Sequence, residues 1–176
     1  MEIEIKKVSI KKEYEIVSAM MKALQESEKA MNDKSALWND IQQNYMSHLI
    51  DAEQENEGTC LIAYVDKNVA GFLFGYTDEQ DESRIETYTG KELYITDGFI
   101  YPDYRRLGIY QQMNKQIEEM YIAKGIRRIT RFTLFTNKRM KGFLEKQGYT
   151  ATRILYEKWL DEDGKNLLPP KMEEPD

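Results

Sequence analysis

Apolar positions along the chain follow two rhythms, and the switches between them mark out its elements. Ile3, Ile5 and Val8 are interleaved with charged residues, which predicts an opening strand. From Glu13 to Glu26 the apolar Ile16, Val17, Met20, Met21 and Leu24 recur at helical spacing. Ser35 is placed to cap a second helix to about Asp51, with Leu37, Ile41, Tyr45 and Leu49 turned inward. Past Gly58 the period shortens again. Thr59 to Val65 and Val69 to Tyr76 read as two strands joined by the turn Asp66-Lys67-Asn68. Thr77 to Gly90 is polar and acidic and reads as a solvated excursion, with a lid as the alternative.

Glu92 to Ile100 predicts the central strand. Strict alternation puts Leu93, Ile95, Asp97 and Phe99 on one face and Tyr94, Thr96 and Ile100 on the other. Asp97 is the odd member, because a carboxylate in an apolar row is costly unless it is paired, hydrated or used. Gly98 beside it marks a candidate bulge where the strand bends away from its neighbour. The strand stops at Pro102. A basic turn with one glycine follows, and then a helix with Ile109, Met113, Ile117 and Tyr121 along one side. Strand, turn and helix in that order aim the helix's first unpaired N–H groups out of the strand's end, where they favour an anion. Gly108 has no Cβ to hold a diphosphate away, and Arg105 and Arg106 add positive charge.

Beyond this helix, Lys124-Gly125 is a C-terminal signal, and Ile126 to Phe135 predicts another strand. Asn137 is placed as the N-cap of a last helix, and Thr150 to Leu160 reads as one long strand or two shorter ones. Residues 1–160 are thus expected to form the domain, and the acidic, proline-containing 161–176 a loose tail.

Composition narrows the function. At 176 residues the chain suits one domain with a sizeable core. Its 25 basic and 31 acidic residues give a net charge of −6, which disfavours nonspecific nucleic-acid binding and suits a cationic substrate. A single cysteine, Cys60, excludes an internal disulfide framework and suits a reducing compartment. It reads as an inert core thiol. No apolar run nears the roughly 20 residues that span a bilayer, and Met1-Glu2-Ile3-Glu4 does not begin a secretory signal, so the expectation is a cytoplasmic protein without membrane or nucleic-acid partners. His48 is the only histidine, and no metal site is expected around it.

Arg105-Arg106-Leu107-Gly108-Ile109-Tyr110 resembles the pyrophosphate loop of the GNAT superfamily of acyl-coenzyme A-dependent N-acetyltransferases, Gln/Arg-x-x-Gly-x-Gly/Ala, with Tyr110 as a departure at the sixth place. Tyr94 to Arg105 is similar to the strand and Pro-x-Tyr-Arg approach that precede that loop. Asn137 to Tyr149 resembles the family's Asn-x-x-Ala-x-x-Phe-Tyr-Glu-Lys-x-Gly-Phe helix. The resemblance covers about Thr59 to Leu160. It implies an α/β (α+β) fold with a mixed, mostly antiparallel sheet of six to seven strands, about four flanking helices, and a splay at the central strands.

It further implies acetyl transfer from acetyl-CoA, as co-substrate, to a primary amine. The cofactor-binding residues would be Phe99, Ile100, Tyr101, Arg105, Arg106, Leu107, Gly108, Ile109, Tyr110, Asn137 and Phe143. A cap alone explains Asn137 equally well. In such proteins the first two helices often wall the acceptor pocket, which makes Trp38, Tyr45 and Met46 candidate substrate contacts, with ordinary packing as the alternative. Asp97 falls where some members carry a substrate-facing carboxylate, which implies a role in binding or deprotonating the amine, with a structural hydrogen bond as the alternative. The usual tyrosine, general acid to the departing thiolate, falls on Leu144, which cannot donate a proton. Tyr101, Tyr110 and Tyr149 are then the available phenols. The acceptor is expected to be a small molecule. A protein or peptide amine, or a noncatalytic acyl-CoA sensor, are the alternatives, and a homodimer is an open option.

Overall fold

The structure, a computed structural model, describes residues 1–79, 87 and 90–173. In chain order it contains β1 (Ile3–Val8), α1 (Tyr14–Met31), α2 (Trp38–Glu55), β2 (Thr59–Val65), β3 (Asn68–Glu79) and β4 (Lys91–Ile100). A single 3-10 turn (Pro102–Tyr104) leads to α3 (Ile109–Ile122), β5 (Ile129–Thr130) and α4 (Lys138–Lys146). None of these helices is long and apolar enough to cross a membrane. The chain divides into two units, Met1–Leu24 with Trp38–Phe132, and Gln25–Leu37 with Thr133–Asp176.

The first unit is built on one sheet of order β1-β2-β3-β4-β5. β1 to β4 run antiparallel to their neighbours, and β5 joins β4 in parallel. Both faces of the sheet are covered. Val17 and Met20 of α1 and Met46 and Leu49 of α2 pack on Cys60, Ile62, Phe72, Phe74 and Phe99. On the opposite face Ile109, Met113, Ile117 and Tyr121 of α3 pack on Leu61, Leu73, Leu93 and Ile95. The four-residue rhythm read from α3 is therefore its buried stripe. Cys60 is fully buried, and desolvation raises its thiol's pKa, as an inert core residue requires.

Several expectations need correcting. The described sheet has five strands instead of six to seven. Ile126 to Phe135 contracts to Ile129–Thr130, because only Leu93 and Tyr94 offer β5 a ladder. Thr150 to Leu160, in the second unit, forms no strand: all eleven residues are exposed, and Leu160 makes one isolated bridge to Asn166. A β-branched, aromatic sequence favours a strand only where it can pack and pair. α1 starts one residue later and runs five further than read, and α2 is Trp38–Glu55, so Ser35 does not cap it and Leu37 stays 56% exposed. β3 continues to Glu79, so Thr77 to Glu79 belong to a strand, while most of the predicted excursion, 80–86 with 88 and 89, lies outside the described residues.

The most consequential correction is inside β4. Phe74 pairs with Asp97 but Gly75 pairs with Ile95, which leaves Thr96 as an extra residue. The bulge is at Thr96 and not at Gly98. An extra residue shifts the alternation by one, so Leu93 and Ile95 face α3, whereas Phe99 packs on the α1–α2 side and Asp97 meets Tyr45 of α2. The single face predicted for Leu93, Ile95, Asp97 and Phe99 does not exist.

Candidate active site

β4 and β5 stay together for only two residue pairs, Leu93 with Ile129 and Tyr94 with Thr130. Beyond Tyr94, β4 keeps β3 on one side and has no strand on the other among the described residues. This is the expected splay. Tyr101 N–H donates to Ala70 O across the β3 side at 3.0 Å. Counting back in twos along the ladder, the N–H groups of Ile100 and Gly98 point to the open side, available to an extended ligand lying there as a substitute strand.

At the far end of that edge, Arg105 Nε donates to Ile100 O at 3.0 Å, and its guanidinium lies over the Phe99 ring at 5.6 Å. Arg105 therefore braces the exit of β4. Arg106 is exposed and, unusually for a residue with a side chain, has φ of 67°. Gly108 follows at φ 74°, ψ 5° as the residue before α3, and no side chain caps the helix. A Cβ there would meet only Gln112 Nε2, at 3.9 Å. The turn is open and carries the positive charge of Arg106 at the start of a helix that no side chain caps, which suits a diphosphate. Leu107 and Ile109 anchor the turn in the apolar cluster beneath it. These residues fit the phosphate end of a coenzyme A molecule, and the free edge of β4 fits its extended arm.

Asp97 stands beside the splay, 5% exposed. Tyr45 Oη donates to its Oδ1 at 2.8 Å, and Thr96 Oγ1 to its Oδ2 at 2.6 Å. Burial raises its pKa, opposed by those two hydrogen bonds and by the charge of His48. A carboxylate whose pKa is raised by burial is a better proton acceptor than an exposed one. Around it runs a row of aromatic rings: Trp38 to Tyr45 at 6.4 Å, Tyr45 to His48 and His48 to Tyr76 at 6.0 Å, then Tyr76 to Tyr94 and Tyr94 to Phe132 at 5.6 Å. All five contacts are edge-on. Burial pushes the Tyr94 hydroxyl up to about 12, so it stays a neutral phenol. Ring faces next to a buried carboxylate attract a cation. Nearer the exit of β4, an apolar groove of about 300 Å³ is lined by Ile16, Ala19, Met20, Val69 and Tyr101, with Glu15 also on its wall.

Of the residues read as acceptor contacts, Trp38 and Met46 are core and Tyr45 touches Asp97 directly. Asn137, Phe143 and Leu144 lie in the second unit. There Asn137 Oδ1 accepts from Met140 N at 3.0 Å and caps α4, while Phe143 and Leu144 are half-buried on that helix. Sequence reasoning missed Thr96, Tyr76, Tyr94 and Phe132. A bulge leaves no mark when the residue it ejects is an ordinary strand former, and the rings gather only once the strands are in register.

The chain matches the acetyltransferase (GNAT) family model over residues 18–149. It belongs to that family. It is 26% identical over 127 residues to the thialysine N-epsilon-acetyltransferase of Sus scrofa, an alignment covering 72% of this chain and 65% of the relative, so it matches less than two thirds of that protein's length. Its fold is similar to that of a predicted acetyltransferase with acetyl-CoA from Clostridium acetobutylicum, with a TM-score of 0.71, 17% identity, and 89% of this chain and 95% of the other covered. It is likewise similar to aminoglycoside N-acetyltransferase AAC(6')-Iy in complex with CoA, with a TM-score of 0.66, 17% identity, and 89% and 95% covered. The two structural likenesses are of fold alone.

Proposed function

We propose that this GNAT protein transfers an acetyl group from acetyl-CoA to a primary amine of a small molecule, with Asp97 as the base. The observation that carries the reading is a buried carboxylate, ringed by aromatic side chains, at the point where β4 loses its neighbour. Acetyl-CoA supplies an activated thioester whose acyl carbon accepts the amine. The N–H groups of Gly108, Ile109 and Tyr110 would hold its diphosphate, with Arg106 beside them, and that of Ile100 would hold its arm.

A primary amine near pKa 10.4 is neutral in only about one of a few thousand molecules at pH 7. The aromatic row favours the ammonium form on arrival. Asp97, directly or through a water, takes the proton that makes nitrogen a nucleophile. Gly98 N–H faces the edge where the acyl oxygen would lie and is the backbone donor suited to its developing charge. Placing amine and thioester on one strand edge supplies much of the remaining acceleration. An aromatic site suits a small acceptor better than a protein surface. The names of the pig relative and of the aminoglycoside N-acetyltransferase point the same way.

Leu144, at the place of the family's proton donor, favours a second reading, a noncatalytic acyl-CoA sensor. Calorimetry with acetyl-CoA, followed by thiol release against thialysine, lysine, polyamines and aminoglycosides, separates the two. Micromolar binding and turnover with at least one amine are expected. Binding with no turnover on any amine or peptide would support the sensor, and absence of binding removes both readings.

A further inference from the structure

Tyr110 occupies the position of the phosphate turn where a small residue is usual, and its ring has a defined place. A Cβ built on Gly98 would stand 2.7 Å from the Tyr110 hydroxyl and 2.9 Å from its ring. Gly98 is in the middle of the free edge of β4, so the phenol oxygen lies against that edge on the α3 side. Asp97, one residue earlier, serves the opposite side.

The hydroxyl is also gripped from across the splay. Arg131, the first residue past β5, donates to Tyr110 Oη through Nη2 and to Asn114 Oδ1 through Nη1, the latter at 2.6 Å. Its guanidinium lies over the Tyr110 ring at 5.5 Å. Asn114 is fully buried and in turn donates to Glu118 at 2.6 Å. Filling the space over Gly98 requires only a ring. Holding a hydroxyl at the fork of two diverging strands, with a fixed cation beside it, requires this network.

We propose that Tyr110 is the proton donor to the departing thiolate, with Arg131 as its positioning residue. This rests on the acetyltransferase reading above. Asp97 first passes the ammonium's proton to solvent and is ionised again; as the neutral nitrogen then bonds to the acyl carbon on the Asp97 side, the second proton that it must lose to become an amide passes to Asp97. Tyr110 Oη gives its own proton to sulfur as the C–S bond breaks and its electron pair stays on sulfur. The phenolate formed next to Arg131 recovers a proton from solvent, Asp97 returns its proton to solvent, and one amide and one thiol result.

The test compares the unmodified protein with Tyr110→Phe and Arg131→Gln, and also reads the thiol of bound CoA through the ultraviolet absorbance of its thiolate during a pH titration. For Tyr110→Phe, kcat is expected to fall about 10- to 100-fold, at the lower end for an acid catalyst because a thiolate leaves readily. The Kd for CoA should stay within about twofold, and the bound thiol should titrate about one pH unit higher, having lost a donor to its charged form. Arg131→Gln should lower kcat less, with the thiol titration moved in the same direction. A Tyr110→Phe protein with kcat within twofold of the unmodified one, or with an unmoved thiol titration, overturns the proposal.

Should Tyr110→Phe fail to fold, the unmodified protein still decides. Its bound CoA thiol must titrate below that of free CoA, and a value at or above the free one overturns the assignment. A lowered thiol titration with no amine acetylated would support the Tyr110 contact and sink the amine acceptor alone. No CoA binding removes both.

Discussion

The two halves of β4 belong to one ten-residue strand and do opposite jobs. In the first half the edge is closed. Leu93 N donates to Arg128 O at 3.0 Å, and buried Glu92 pairs with Arg128 at 3.1 Å and accepts from Thr130 at 3.2 Å. In the second half the edge is open, and the buried carboxylate, Asp97, accepts from two hydroxyls, with the charge of His48 acting on it less strongly than they do. Charge that is fully matched, as at Glu92, locks strands together. Charge that is met chiefly by hydroxyls, where burial outweighs them, keeps a raised pKa and the ability to exchange a proton. The bulge at Thr96 divides the halves by turning Asp97 away from the face of Leu93.

The sharpest way to break this contrast is to neutralise the open half. Asp97→Asn keeps the shape and lets the amide exchange hydrogen bonds with Tyr45 and Thr96, yet removes the proposed base. A fall in kcat of about 100-fold or more is expected, within the range for general base catalysis. Thermal unfolding should move the other way. A carboxyl whose folded pKa is raised contributes stability that is fully present below its unfolded pKa of about 3.8 and lost as pH rises through the folded value. At pH 7 Asp97 is therefore a cost to the fold, and the asparagine variant should melt at the same temperature or higher. A lower Tm with unaltered kcat would make Asp97 a structural residue.

Next in size is the turn that serves the open edge. Gly108→Val places a branched side chain at φ 74° and in the path of a diphosphate. The Kd for CoA should rise about tenfold or more by calorimetry, and unfolding in urea should show a loss of about 1–2 kcal/mol. Equal affinity in the variant would mean that the diphosphate lies elsewhere. The closed half should respond only in stability: Glu92→Gln, with Arg128 partly open to water, should cost about 1–2 kcal/mol and leave kcat within about twofold. A large change in rate from that variant would blur the division between the halves.

These contrasts were unevenly legible in the sequence. The α3 stripe, the glycine turn and the hairpin of β2 and β3 are local: each is set by residues a few positions apart, and each was readable. The turn before α3 needed only Pro102, Gly108 and the start of a periodic helix. What could not be read depends on the third dimension. Whether Thr150 to Leu160 forms a strand depends on a partner that its own pattern does not specify, and Thr96 looks like any strand threonine until the register with β3 is fixed. Because that one residue decides which way Asp97 points, the place of Asp97 on β4 was legible and the side that it faces was not. The aromatic row follows the same logic: Tyr45, Tyr76, Tyr94 and Phe132 come from four separate segments and meet only when the sheet is assembled.

The subtlest expected effect concerns how finely the open half is tuned. Tyr45 Oη donates to the Asp97 carboxylate, a bond that favours the charged form and holds back the rise that burial imposes. Tyr45→Phe keeps the ring in the aromatic row and deletes only that donor. The folded pKa of Asp97 should then climb further, so the ascending limb of kcat/KM against pH should shift to higher pH, by up to about one unit for a hydrogen bond to a charged group. Rates on the plateau, where Asp97 is ionised in both proteins, should differ by no more than a few-fold. A limb that moves to lower pH, or does not move while the plateau collapses, would mean that Tyr45 meets the acceptor directly and that the open half is tuned by burial, Thr96 and His48 without it.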